Sequence, residues 1–183
     1  WDVTRKGLYG APRTRVIVGA DAHAAVYKSI SMLGLGSDNV ELVPSDDQGR
    51  MRPDRMPRLD EGALVVAQAG NVNSGAIDPV GAICERAHAG GSWVHVDGAF
   101  GLWARVVPSM REICNGIENA DSWSVDAHKT LNVPYDSGII LCRHREALMN
   151  AFKASASYFQ WSEHRDGMNF RPSMSNRARA IEL

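Results

Sequence analysis

Ala63-Leu64-Val65-Val66-Ala67 decides the fold class. An unbroken apolar run of this length, centred on two β-branched valines, makes a strand with no face left for water. Such a strand belongs in a parallel sheet covered on both sides. A polar loop follows it, Gly70-Asn71-Val72-Asn73-Ser74-Gly75. Asp78-Pro79 then opens a helix running to about Gly90, with proline suited to its first turn.

The same alternation extends outward in both directions. Upstream, Arg15 to Val18 is a short strand, and Ala22 to Leu35 repeats Ala22, Val26, Ile30 and Leu33 at helical spacing before Gly34 or Gly36 ends it. Val40 to Val43 reads as a strand and Asp46-Asp47-Gln48-Gly49 as a turn. Downstream, Trp93 to Asp97 is the next strand, and a helix is expected around Ser109 to Gly116. Ser122 to Val125 and Ile139 to Cys142 are further strands, and Arg145 to Phe152 is helical. Ala154 to Pro172 is polar and aromatic without period, which predicts a long loop. Strands alternating with helices predict an α/β fold with a mostly parallel sheet flanked by helices.

Bulk properties narrow the function. The chain has 183 residues, 44% hydrophobic and 22% charged, with a formal net charge of −1. Nucleic acid and anionic membranes both select concentrated positive charge, so neither is an expected partner. Cys84, Cys114 and Cys142 are widely spaced and odd in number, which argues against disulfides and zinc and for a cytoplasmic setting. The chain starts at Trp1 rather than Met, and Ser175 to Leu183 reads as a helix just beginning whose apolar face has nothing to pack against. The expectation is one segment of a longer protein.

In open α/β sheets functional groups gather beyond the carboxyl ends of strands. Three such ends carry unusual residues: Asp21-Ala22-His23, then Asp97-Gly98-Ala99, then Asp126-Ala127-His128-Lys129. A single strand-end lysine is most often a solvated one. The combination carries more weight. Pyridoxal phosphate requires an amine to bond its aldehyde, a carboxylate to keep its pyridine nitrogen protonated, and a flat group against the ring. Lys129, Asp97 and His23 supply these from three separate strands.

Val94-His95-Val96-Asp97-Gly98-Ala99-Phe100, and Asp121-Ser122-Trp123-Ser124-Val125-Asp126-Ala127-His128-Lys129 followed by Asn132-Val133-Pro134-Tyr135-Asp136-Ser137-Gly138, resemble the group II pyridoxal-phosphate-dependent decarboxylases. That family includes the aromatic-L-amino-acid, glutamate and histidine decarboxylases of the aspartate-aminotransferase fold. The resemblance runs from Asp21-Ala22-His23 to the segment Ser175 to Leu183. It implies that residues 1–183 are the central part of a large cofactor-binding domain, in a homodimeric enzyme acting on a small-molecule amino acid. Lys129 matches the Schiff-base lysine and Asp97 the aspartate at the pyridine nitrogen. His23 matches the histidine stacked on the ring, and Ala99 the small residue on its other face. His128 matches the neighbour that contacts phosphate or substrate carboxylate, and Tyr158 a mobile-loop tyrosine that returns a proton.

The implied reaction is loss of the α-carboxylate as CO2. Transamination or oxidative deamination on the same fold, or an inactive folded fragment, are the alternatives. The sequence departs from the family at Asn71-Val72, where a Thr-Thr pair is common, at Thr130, where an aromatic is common, and at Asp126, where asparagine is common. An acid beside a phosphate is repulsive, so Asp126 is expected to turn away or bond the backbone. His95 is expected to be a satisfied core or substrate-side histidine. His88, His144 and His164 are read as surface residues without cluster partners. Trp93, Trp103, Trp123 and Phe100 are expected in the core, with Phe100 and Trp103 close enough to Asp97 to line a pocket.

Overall fold

The computed structural model describes residues 1–154, 157–160, 164–175 and 177. The helix expected over Ser175 to Leu183 falls almost wholly outside them. The strands are β1 (Val16–Gly19), β2 (Val40–Val43), β3 (Leu64–Gln68), β4 (Trp93–Asp97), β5 (Ser122–Asp126) and β6 (Gly138–Cys142). The helices are α1 (Val3–Lys6), α2 (Ala24–Met32), α3 (Val80–Ala89) and α4 (Arg145–Phe152). One six-stranded sheet has the order β2-β1-β3-β4-β5-β6. All neighbours pair in parallel except β5 and β6, which are antiparallel. The parallel strands therefore deliver their carboxyl ends to one edge, and β3 occupies the interior position its composition required.

Each face of the sheet has its own core. On one face Ile17, Val65, Ala67, Val94 and Val96 meet Val80, Ile83, Cys84 and Ala87 of α3, all buried. Ile83 has no exposed surface, so Ile83→Ala would cost about 2–5 kcal/mol through lost transfer energy and a cavity. On the other face Val16, Val18 and Val66 receive Ile30 of α2, with Val26 and Tyr27 beside it. Val16, Val18 and Val66 alternate with Ile17, Val65 and Ala67, so β1 and β3 are apolar on both sides because both sides are covered.

One expected helix is absent. No α-helix forms over Ser109 to Gly116. Short 3-10 turns at Leu102–Val106, Pro108–Met110 and Ile117–Asn119 replace it. Gly116 adopts a left-handed conformation (φ 83°), and a Cβ there would press on the Gly81 backbone of α3. Cys114 and Ile117 are both buried, and this tight approach to α3 anchors the segment as a succession of turns.

Candidate active site

β4 and β5 are two-faced. Val94, Val96 and Val125 are buried, and the alternate residues Trp93, His95, Asp97 and Ser122, Ser124, Asp126 face a cavity on the α2 side. The register places His95 beside Ser122 and Asp97 beside Ser124. Helix α2 packs over the apolar strands β1 and β3, and a cavity of about 480 Å³ lies between it and these polar faces. His23, Asp97, Ala99 and Lys129 stand at its strand-end mouth, and Trp93, His95, Ser122 and Ser124 form its floor.

The floor is a continuous hydrogen-bond chain. Trp93 Nε1 donates to Ser122 Oγ (2.9 Å), which meets His95 Nδ1 (2.8 Å), and His95 Nε2 meets Ser124 Oγ (3.2 Å). Tryptophan can only donate, so Ser122 accepts from Trp93, and its hydroxyl can either give its proton to His95 Nδ1 or accept one from it. Burial lowers the His95 pKa, against the opposing charge of Asp97, so this ring is neutral near pH 7. The expectation of a satisfied histidine holds, and it lines the cavity as well.

The two functional loops are stitched together. Gly98 N–H donates to Ser124 O (2.9 Å), Asp126 N–H to Ala99 O (2.9 Å), and Thr130 Oγ1 to Phe100 O (2.8 Å). A side chain at Gly98 would stand 2.7 Å from Leu102 Cβ and 3.1 Å from Ser124 O, so only glycine permits the turn that follows Asp97. The Asp97 carboxylate accepts the Ala99 N–H at Oδ1 (3.1 Å), its single hydrogen bond among the described residues, which leaves Oδ2 for a ligand. His23 is the N-cap of α2, its Nδ1 accepting Ala25 N–H (3.2 Å). A ring held this way carries its proton on Nε2 when neutral.

Asp126 behaves contrary to expectation. Its carboxylate lines the cavity and pairs with Lys129, Oδ2 to Nζ at 2.9 Å. Lys129 N–H closes a turn on Asp126 O (3.1 Å), which brings the two side chains to one side, where opposite charge completes the contact. His128 lies outside the cavity lining. Its ring stacks on Tyr135 (centroids 4.0 Å apart), Nδ1 accepts Ser137 N–H (3.1 Å), and Nε2 stands 3.7 Å from Asp126 Oδ2.

Other sequence candidates fall elsewhere. Tyr158 is 78% exposed, packs edge-on against Phe159 at 4.7 Å, and does not line the cavity. Nor do Phe100 and Trp103; Phe100 instead sits where a Gly70 side chain would be. Asn71 is buried and occupied by its own loop, accepting Asn73 N–H (2.9 Å) and Ser74 N–H (3.2 Å) and donating to Asp21 O (3.4 Å). His88 and His144 do have a shared partner: each Nε2 meets Asp121, at 3.0 and 3.1 Å. Burial would raise the Asp121 carboxyl, but hydrogen bonds from Val94 N–H and both histidines outweigh it and hold the pKa low. Sequence reasoning missed Ser122 and Ser124, although the period-two alternation with Trp123 and Val125 carried the signal.

The geometry fits pyridoxal phosphate. An amine, a carboxylate with an uncommitted oxygen, a flat ring and a small residue border one cavity. Among the described residues no group of three or more His, Cys, Asp or Glu gathers as a metal site, and no helix is long and apolar enough to cross a membrane.

Residues 8–183 match the family described as the pyridoxal-dependent decarboxylase conserved domain. The chain belongs to this family. Its cofactor is pyridoxal phosphate. The acidic amino acid decarboxylase GADL1 of mouse (Mus musculus) is 34% identical over 166 residues, covering 86% of this chain and 30% of the relative. The mouse cysteine sulfinic acid decarboxylase is 33% identical, covering 86% and 34%. The crystal structure of mouse CSAD superimposes with a TM-score of 0.86 at 28% identity, covering 99% of this chain and 40% of that one. That of rice (Oryza sativa) TDC with PLP and tryptamine gives 0.85 at 24% identity, covering 98% and 40%, and shares the fold. The chain thus spans about a third of the curated relatives it matches.

Proposed function

We propose that the whole protein removes the α-carboxylate of an L-amino acid as CO2, with Lys129 carrying the cofactor. The observation behind this reading is the convergence of Lys129, Asp97 and His23, from the ends of β5, β4 and β1, on one 480 Å³ cavity. When bound, pyridoxal phosphate supplies an electron sink for the charge left on the α-carbon. Lys129 provides the amine that bonds it. Asp97 would hold a proton on the pyridine nitrogen through Oδ2, its Oδ1 being engaged by Ala99 N–H. His23, fixed by its cap, offers a ring face, and Ala99 leaves room on the other side. The cavity walls would act by orienting the substrate's α-carboxylate for loss. Tyr158 is the proposed proton donor to the α-carbon, delivered from its loop.

Further parts of the reading are that residues 1–183 are the central part of a large cofactor domain, and that the enzyme is a cytoplasmic homodimer. His128 contributes to the phosphate or substrate-carboxylate side. The relatives named for acidic substrates suggest an acidic amino acid. Incubating the full-length protein and pyridoxal phosphate with a panel of amino acids tests the proposal. CO2 and amine in equal amounts are expected; keto acid without CO2 would mean transamination instead.

A further inference from the structure

We propose that Asp126 is a positioning residue for Lys129, receiving its amine as an ion pair whenever that amine is not bonded to the cofactor. This inference rests on the reading above. The contact is direct, Nζ to Oδ2 at 2.9 Å, and Asp126 is the amine's ion-pair partner among the described residues. Asp126 is itself firmly placed. It ends β5, donates its N–H to Ala99 O, and accepts Lys129 N–H at its own carbonyl. The pair is partly open to solvent, with side-chain exposures of 32% and 39%, and such pairs are weak enough to break and re-form readily. A lysine side chain otherwise samples many rotamers, and an acceptor at the cavity wall confines it near the place where the aldehyde must arrive.

The second cavity carboxylate is not spent on the amine. Asp97 is bonded by Ala99 N–H, so the two acids divide the work, one for the lysine and one for the ring. Asp126 is also not stranded when the lysine departs. The Nδ1 of His128 is occupied as acceptor by Ser137 N–H, which puts the neutral ring's proton on Nε2, 3.7 Å from the same Oδ2. Attachment itself joins the lysine nitrogen to the aldehyde carbon and expels the aldehyde oxygen as water, so it needs no oxidant or co-reactant.

The test uses the full-length apo-protein as wild type, Asp126→Asn and Asp126→Ala; the asparagine keeps the shape and removes the charge. First, lysines are trace-acetylated and mapped, with exposed Lys28 as internal reference. Second, pyridoxal phosphate is added and attachment is trapped with borohydride over time. Pairing shields the amine and also places it, so the two readouts should move in opposite directions. In both variants Lys129 acetylation relative to Lys28 is expected to rise, and cofactor attachment to slow, each by up to about fivefold. An unchanged acetylation ratio would remove the pairing, and faster attachment in the variants would mean that Asp126 merely traps the amine. Either result overturns the proposal. Wild-type label on a lysine other than Lys129 would overturn the functional reading instead, while the acetylation ratio would still decide the pairing.

Discussion

The carbonyl of Ala99 accepts the backbone N–H of Asp126 at 2.9 Å. This single bond ties the loop that follows Asp97 at the end of β4 to the end of β5, where the turn to Lys129 begins. Its neighbours, Gly98 to Ser124 and Thr130 to Phe100, extend the seam on either side. The backbones that carry Lys129 and Asp97 are therefore held relative to each other, and the lysine amine is located by its side-chain contact with Asp126.

Lys129→Ala in the full-length protein should abolish covalent cofactor attachment while leaving the fold intact. Its side chain is exposed, and an exposed ion pair contributes less than about 1 kcal/mol. Borohydride reduction followed by peptide mapping should find the cofactor on Lys129 in the wild type and on no lysine in the variant. Label on Lys6, Lys28 or Lys153 would refute the assignment.

Asp97→Asn should fold normally, because the amide oxygen can still accept Ala99 N–H. The neutral side chain cannot hold a proton on the pyridine nitrogen. Loss of a preorganised charge in a water-poor site costs about a hundredfold or more in kcat, which steady-state kinetics on the full-length enzyme would show. Turnover within a few-fold of wild type would remove the electron-sink role.

Tyr158→Phe keeps the ring against Phe159 and removes only the hydroxyl. If the phenol returns a proton to the α-carbon, amine formation should fall by about 10²-fold or more, with aldehyde or keto product appearing. Chromatographic product analysis decides this. Amine as sole product at the wild-type rate would leave Tyr158 as a loop-packing residue.

Asp78 controls a pH-dependent part of the stability. It is buried, and Oδ1 and Oδ2 accept Met51 N–H and Gln68 N–H, each at 2.7 Å. Burial outweighs those bonds and pushes its pKa from 3.8 to about 6. Because the folded value is the higher one, its stabilising contribution is complete below pH 3.8 and is lost as pH rises through about 6. Relative to Asp78→Asn, which does not titrate, the wild type should lose up to roughly 3 kcal/mol across that window. Urea denaturation of both proteins at pH 3.5 and 7 measures it; a constant difference would show that Asp78 does not titrate there.

The α/β class, the strand positions and the principal residue types of the site are legible in the sequence. These are local properties. Apolar runs such as Ala63 to Ala67 report burial on both faces, and the strand-end groups Asp21-Ala22-His23, Asp97-Gly98-Ala99 and His128-Lys129 report chemistry. Which of those groups meet depends on how the strands are ordered in space. Strand order, which puts β4 beside β5 and two places from β1, brings Asp97, Lys129 and His23 to one cavity. It also leaves Tyr158 outside, engages Asn71 in its own loop, and joins His88 and His144 through Asp121, relations that link positions far apart in the chain. The expectation that Asp126 turns away weighed its repulsion toward a phosphate, whereas the folded turn sets it within 2.9 Å of the lysine ammonium. A residue's type is written at its own position, but the sign of the charge it faces is set by how the rest of the chain packs around it.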